Sequence, residues 1–134
     1  MDVINRNETT AFTTKDGSTI REILAYRNAV VQKQSLAEAT IPIGKQTEAH
    51  YHPVTEEIYY LLSGVGLMAI EEETQVVRPG DGIAIPPGAR HWHGSAPDTM
   101  MCHLAMSETD DKGNATTWLE PVSDGDYGKA PAKD

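Results

Sequence analysis

His50 and His52 are separated by a single residue, and in a β-strand that spacing turns both imidazoles to one face, so a rigid sheet can offer two nitrogen ligands at once. Glu57 supplies a carboxylate further along the chain, and His91 adds a third imidazole from a later segment. Three imidazoles and one carboxylate suit a single divalent transition ion, with Mn, Fe, Zn and Ni all candidates. Histidines in so spaced a constellation are hard to justify as core filler. Glu56 and Glu57 are neighbours and point to opposite faces of a strand, so only one of them can join the set.

A second group lies beside the first. In His91-Trp92-His93-Gly94 the period of two returns His93 to the face of His91, and His103 sits in the next expected strand, where antiparallel pairing would bring it opposite. Imidazoles titrate near neutral pH, so His93 and His103 next to a Lewis-acidic ion have the means for general acid–base chemistry. The alternative role is as hydrogen-bonded supports in the wall of the site. Tyr59 shares the face of Glu57 and brings a phenol toward the ion, unless it serves only as core. Ile58, Tyr60 and Leu62 face the other way, toward a second layer or a partner subunit.

The elements that must position these groups read as short strands. They are expected at residues 35–41, 48–52, 57–63, 65–70, 74–77, 82–85, 91–95 and 100–107, with no long helix. Ser63-Gly64, Glu71-Glu72-Glu73, Pro79-Gly80-Asp81-Gly82, Pro86-Pro87-Gly88 and Ala96-Pro97-Asp98 mark the reversals. On propensity alone residues 35–40 also suit a short helix. Residues 121–134, rich in Gly, Lys and Asp, read as a terminal arm outside a core of about residues 35–107.

The chain has 134 residues, enough to bury about two thirds of its unfolded surface as one domain. Cys102 is the sole cysteine, so no intrachain disulfide forms, and the polar N-terminus lacks the apolar core of a signal peptide, which points to the cytoplasm. No apolar run approaches the roughly 20 residues of a membrane span. With 11 basic and 20 acidic residues the formal charge is −9, which repels phosphate backbones and excludes nucleic acid as a natural partner.

Gly44, His50, His52, Glu57 and Gly64 fit G-x5-H-x-H-x4-E-x6-G, and Gly80, Pro86, Gly88 and His91 fit G-x5-P-x-G-x2-H. In these paired motifs the chain resembles the cupins, of the type-2 conserved-barrel kind. The resemblance implies an all-β, single-domain jelly-roll β-barrel with His50, His52, Glu57 and His91 as metal ligands, and its distance to Gly64 selects Glu57 over Glu56. Ser95 stands where the pattern has asparagine, which alters a local polar contact and leaves the ligand set intact. Residues 76–127 resemble the small manganese cupins that act as hydroxynitrile lyases, and cupins associated with carboxymuconolactone decarboxylase domains. In those lyases the histidines matching His93 and His103 flank the metal and assist proton transfer from a cyanohydrin hydroxyl. The first half is more similar to the type-2 cupins labelled mannose-6-phosphate-isomerase-like, and Glu57 replaces the lyases' glutamine ligand with one extra residue before it. A carboxylate there lowers the net charge of the site and its Lewis acidity.

Three function classes follow. One is a metal-dependent lyase or isomerase acting on a small oxygenated molecule, with His93, His103 and Tyr59 as its proton-handling groups. Another is an Fe(II)-dependent dioxygenase. The last is a non-catalytic ligand-binding or sensing module. A sugar-phosphate isomerase fits less well, because Arg78 and Arg90 are single cations near turns and no basic cluster exists to hold a phosphate. The resemblance and the apolar face of Ile58, Tyr60 and Leu62 also imply a homodimer.

Overall fold

The computed structural model describes residues 1–25, 31, 33–45, 50–51, 56–108 and 117–118, with only the backbone described at 50, 51, 117 and 118. The strand that sets the geometry is β5 (Glu57–Gly64), where Glu57, Tyr59 and Leu61 are buried while Ile58, Tyr60 and Leu62 are 44, 44 and 43% exposed. That alternation is the signature of a strand with one face on a core and one on solvent.

Two antiparallel sheets enclose the core. One has six strands in the order β1 (Ala11–Thr13), β2 (Thr19–Leu24), β3 (Gln34–Ile41), β10 (Met101–Glu108), β5 and β8 (Gly82–Ile85). The other has five, in the order β11 (Thr117–Trp118), β4 (His50–Tyr51), β9 (His91–Ser95), β6 (Gly66–Ile70) and β7 (Glu73–Val77). Ile41, Tyr59, Leu61, Ile85 and Met101 of the first sheet pack against Met68 and Val77 of the second, so the core lies between them as in a jelly roll. Among the described residues the one helical element is a 3-10 turn at Arg6–Glu8, and no helix is long and apolar enough to cross a membrane.

The expected strands agree with the observed ones to within a residue at each end wherever both lie in described residues. The expected strand at 48–52 is described only at His50–Tyr51, and the arm at 121–134 lies outside the described residues. Residues 34–41 form a strand and not a helix, because pairing with β2 and β10 on both sides outweighs local propensity. Strands β1 and β2 were not expected. They form a hairpin around Thr14–Ser18, in which Gly17 takes φ +91° and Gly17 N donates to Thr14 O at 3.0 Å.

Two reversals aim the functional strands. Gly64 at φ +80° closes the β5–β6 turn, and a Cβ there would collide with the Met100 carbonyl, so only glycine fits. Glu71, at φ +52°, sits in the left-handed region at the β6–β7 turn. Its backbone N–H donates to Arg90 O at 2.8 Å and its carboxylate accepts from Arg90 N at 3.0 Å, which locks the residue that precedes His91. At the other end of β9, Ser95 is fully buried. Its hydroxyl donates to Pro42 O and accepts from Lys45 N at 3.2 Å, so the serine in place of the pattern's asparagine ties β9 to the loop after β3.

Candidate metal centre

His91 opens β9 with its ring fully buried, and its Nδ1 lies 2.9 Å from the Ala89 carbonyl. A carbonyl only accepts, so Nδ1 carries the hydrogen, which leaves Nε2 as the nitrogen that can offer a lone pair. The Pro86-Pro87-Gly88 turn makes this possible: Gly88 takes φ +78° and Ala89 N donates back to Pro86 O at 3.3 Å, fixing the peptide that His91 reads. Across the interior, Glu57 Oε1 stands 3.7 Å from His91 Nε2. Glu57 is only 8% exposed and Glu56 is exposed, so the adjacent glutamates do point to opposite faces.

A lone pair at Nε2 and a carboxylate oxygen that face each other in a buried space favour positive charge shared between them, supplied by a proton or a metal ion. Their separation is less than two metal–ligand bonds of ~2.1 Å laid end to end, so one cation can touch both. The residues present therefore fit a divalent ion. Pairing of His50 with His91 in the β4–β9 ladder brings the backbone of β4 beside this spot. The side chain of His50 and all of His52 lie outside the described residues, and among the described residues no group of three His, Cys, Asp or Glu side chains converges on a single point.

His93 and His103 are 6 and 1% exposed and meet through their Nε2 atoms at 3.2 Å, with ring centroids 4.8 Å apart. The expectation of antiparallel pairing between their strands is corrected here. Strands β9 and β10 belong to different sheets, and the two rings meet across the core. Tyr59 completes the cluster, its ring centroid 4.8 Å from His93, 4.7 Å from His103 and 6.5 Å from His91. Burial, then the charge of Glu57 and a hydrogen bond to that carboxylate, hold the Tyr59 phenol well above the ordinary tyrosine range. Tyr59 is thus a neutral phenol near neutral pH, able to donate a hydrogen bond, and not a phenolate.

Burial pulls His103 below the ordinary histidine value, with the Leu104 backbone and Glu57 acting in the opposite sense. The folded state then favours the neutral ring, while the unfolded chain binds a proton below about pH 6.5. Stability from this group is complete above that pH and declines as pH falls through and below it. Urea unfolding of metal-free protein is expected to show that decline, and His103→Gln is expected to flatten it; equal pH slopes for the two proteins would contradict the burial of a neutral ring.

A cupin-domain family model matches residues 37–107, which span β3 to β10 and include Glu57, His91, His93 and His103. The chain belongs to the cupin family. An uncharacterised protein of Methanocaldococcus jannaschii is 46% identical over 94 residues, covering 68% of this cupin and 75% of that protein. An (R)-mandelonitrile lyase of Granulicella tundricola is 38% identical over 96 residues, covering 68% of this cupin and 69% of the lyase. Among solved structures, a cupin-like protein of Thermotoga maritima superposes with TM-score 0.79 at 24% identity over 97% of both chains. The oxalate decarboxylase of Bacillus subtilis, a protein with Mn(II) centres, superposes with TM-score 0.72 at 22% identity, over 85% of this cupin and 31% of that chain.

Ala89 is one functional residue that sequence reasoning missed. Its role is carried by a backbone carbonyl, and residue type leaves no trace of that. The contact between the Ser35 and Ser107 hydroxyls, 2.9 Å apart beside Glu57 in the sheet, was not legible either, because it depends on which residues of β3, β10 and β5 pair.

Proposed function

We propose that this cupin binds one divalent transition metal, manganese foremost, through His50, His52, Glu57 and His91. We further propose that it works as a lyase on a small oxygenated molecule, with His93, His103 and Tyr59 handling protons. The observation that carries the reading is the buried His93–His103 contact at 3.2 Å, two residues along β9 from His91 and packed on Tyr59. The likeness to a mandelonitrile lyase supports the reaction type.

A bound divalent ion supplies Lewis acidity to an oxygen of the substrate. The residues do the rest. In the neutral pair one Nε2 carries a hydrogen and the other accepts it, so a proton taken by one ring can be passed to the other, and the two rings act as one acid–base unit. Their burial excludes the water that would otherwise compete for that proton. For a cyanohydrin the atoms balance. The hydroxyl proton passes to the histidine pair, the carbon–cyanide bond breaks with its electrons on cyanide, and the oxygen electrons form the carbonyl bond. The pair then returns the proton, so the products are an aldehyde and hydrogen cyanide. Tyr59, held protonated and hydrogen-bonded to Glu57, would shift that hydrogen bond to the substrate oxygen.

The test is release of benzaldehyde from mandelonitrile. The manganese-loaded protein is expected to exceed buffer containing the same free manganese. Flat traces with manganese, iron and zinc forms alike would remove the lyase and favour a binding module.

The same reading includes a homodimer. On the outer face of the six-stranded sheet, Leu24, Leu36, Met106 and Ile58 align across four adjacent strands and line a groove of about 410 Å3. Tyr60 and Leu62 extend that face. A second copy covering it would remove an exposed apolar patch from water. Sedimentation equilibrium is expected to give twice the chain mass, and a value of 14.6 kDa would exclude the dimer.

A further inference from the structure

The inner face of the six-stranded sheet is sealed at one end and open at the other. Pairing places its inward side chains in rows: Ala39, His103 and Leu61; then Ala37, Ala105 and Tyr59; then Ser35, Ser107 and Glu57. In the first row all three are buried. In the other two, Ala37, Ala105, Ser35 and Ser107 are partly exposed although they point inward, while their neighbours Tyr59 and Glu57 are buried. Ser35 and Ser107 also line the groove of the outer face, so it is Ala37 and Ala105, inward and partly exposed, that mark where the interior opens. The opening is floored by small residues, directly beside the carboxylate and the phenol that the reaction would use.

We propose that Ala37 and Ala105 form the seat for the body of a ring-sized substrate, and that side-chain size at these two positions limits the substrate. This rests on the metal-site reading above. Replacing either methyl by an isobutyl group adds three carbons to the seat, which a small ligand tolerates and a ring does not.

Titration calorimetry of manganese-loaded protein with acetohydroxamate and benzohydroxamate separates the two ideas, because both probes carry the same metal-binding group on bodies of different size. Both are expected to bind the wild type. Ala105→Leu and Ala37→Leu are each expected to weaken benzohydroxamate by about tenfold or more and to leave acetohydroxamate within roughly twofold, at unchanged metal content. Ala84→Leu, on the exposed outer face of β8, should match wild type with both probes. Equal effects on the two probes, or no effect on either, would overturn the seat while the metal site stands. Binding of neither probe to the loaded wild type would overturn the metal-site reading and the seat with it. Should Ala105→Leu fail to fold, Ala37→Leu decides the matter alone.

Discussion

Glu57→Ala is expected to leave the purified protein with bound metal well below one ion per chain, and Glu56→Ala is expected to retain the wild-type amount. The two carboxylates are adjacent in sequence, yet Glu57 is buried 3.7 Å from His91 Nε2 and Glu56 is exposed. Parity in the strand that starts at Glu57 makes the difference. Groups one step removed from a metal already change its affinity by about 10–100-fold, so loss of a direct donor is expected to exceed that. His91→Ala removes the nitrogen whose partner atom Nδ1 is already committed to Ala89 O, and it is expected to act as Glu57→Ala does. His50→Ala and His52→Ala belong to the same expectation. Elemental analysis of each variant is the measurement; full occupancy in any one of them would remove that residue from the ligand set.

His93→Ala and His103→Ala are expected to keep their metal and to lower turnover by about 10²-fold or more, the scale of a lost general acid or base. Both rings are buried, and each is the other's neighbour at 3.2 Å, so the double variant is expected to cost little more than either single one. That non-additivity is the mark of two groups that work as one unit. Additive losses would show two independent roles. Wild-type turnover in both single variants would return the rings to the wall of the barrel.

Much of this was legible in the sequence because its signals are local. The period of two in β5 separates Glu57, Tyr59 and Leu61 from Ile58, Tyr60 and Leu62, and the structure buries the first set and exposes the second. Glycine and proline turns placed the strands from β5 to β10 to within a residue. The hairpin of β1 and β2 carried a readable cue in Asp16-Gly17, but its strands are short and only partly buried, so their apolar pattern is weak. Sheet membership was not legible. His93 and His103 lie ten residues apart on consecutive strands, which suggests a hairpin, whereas the chain crosses from one sheet to the other between them. Their contact depends on how the sheets stack, and no local rule encodes that. The opening beside Ala37 and Ala105 was hidden for the same reason, since it needs the register of three strands at once.

The most direct test of the account is an anomalous difference map from crystals of the manganese-loaded protein. The predicted result is a single interior peak touching His91 Nε2 and a Glu57 carboxylate oxygen, with the imidazoles of His50 and His52 completing the ligands and His93 and His103 outside them. A peak ligated by His93 or His103 instead, or an interior without any peak, would contradict it.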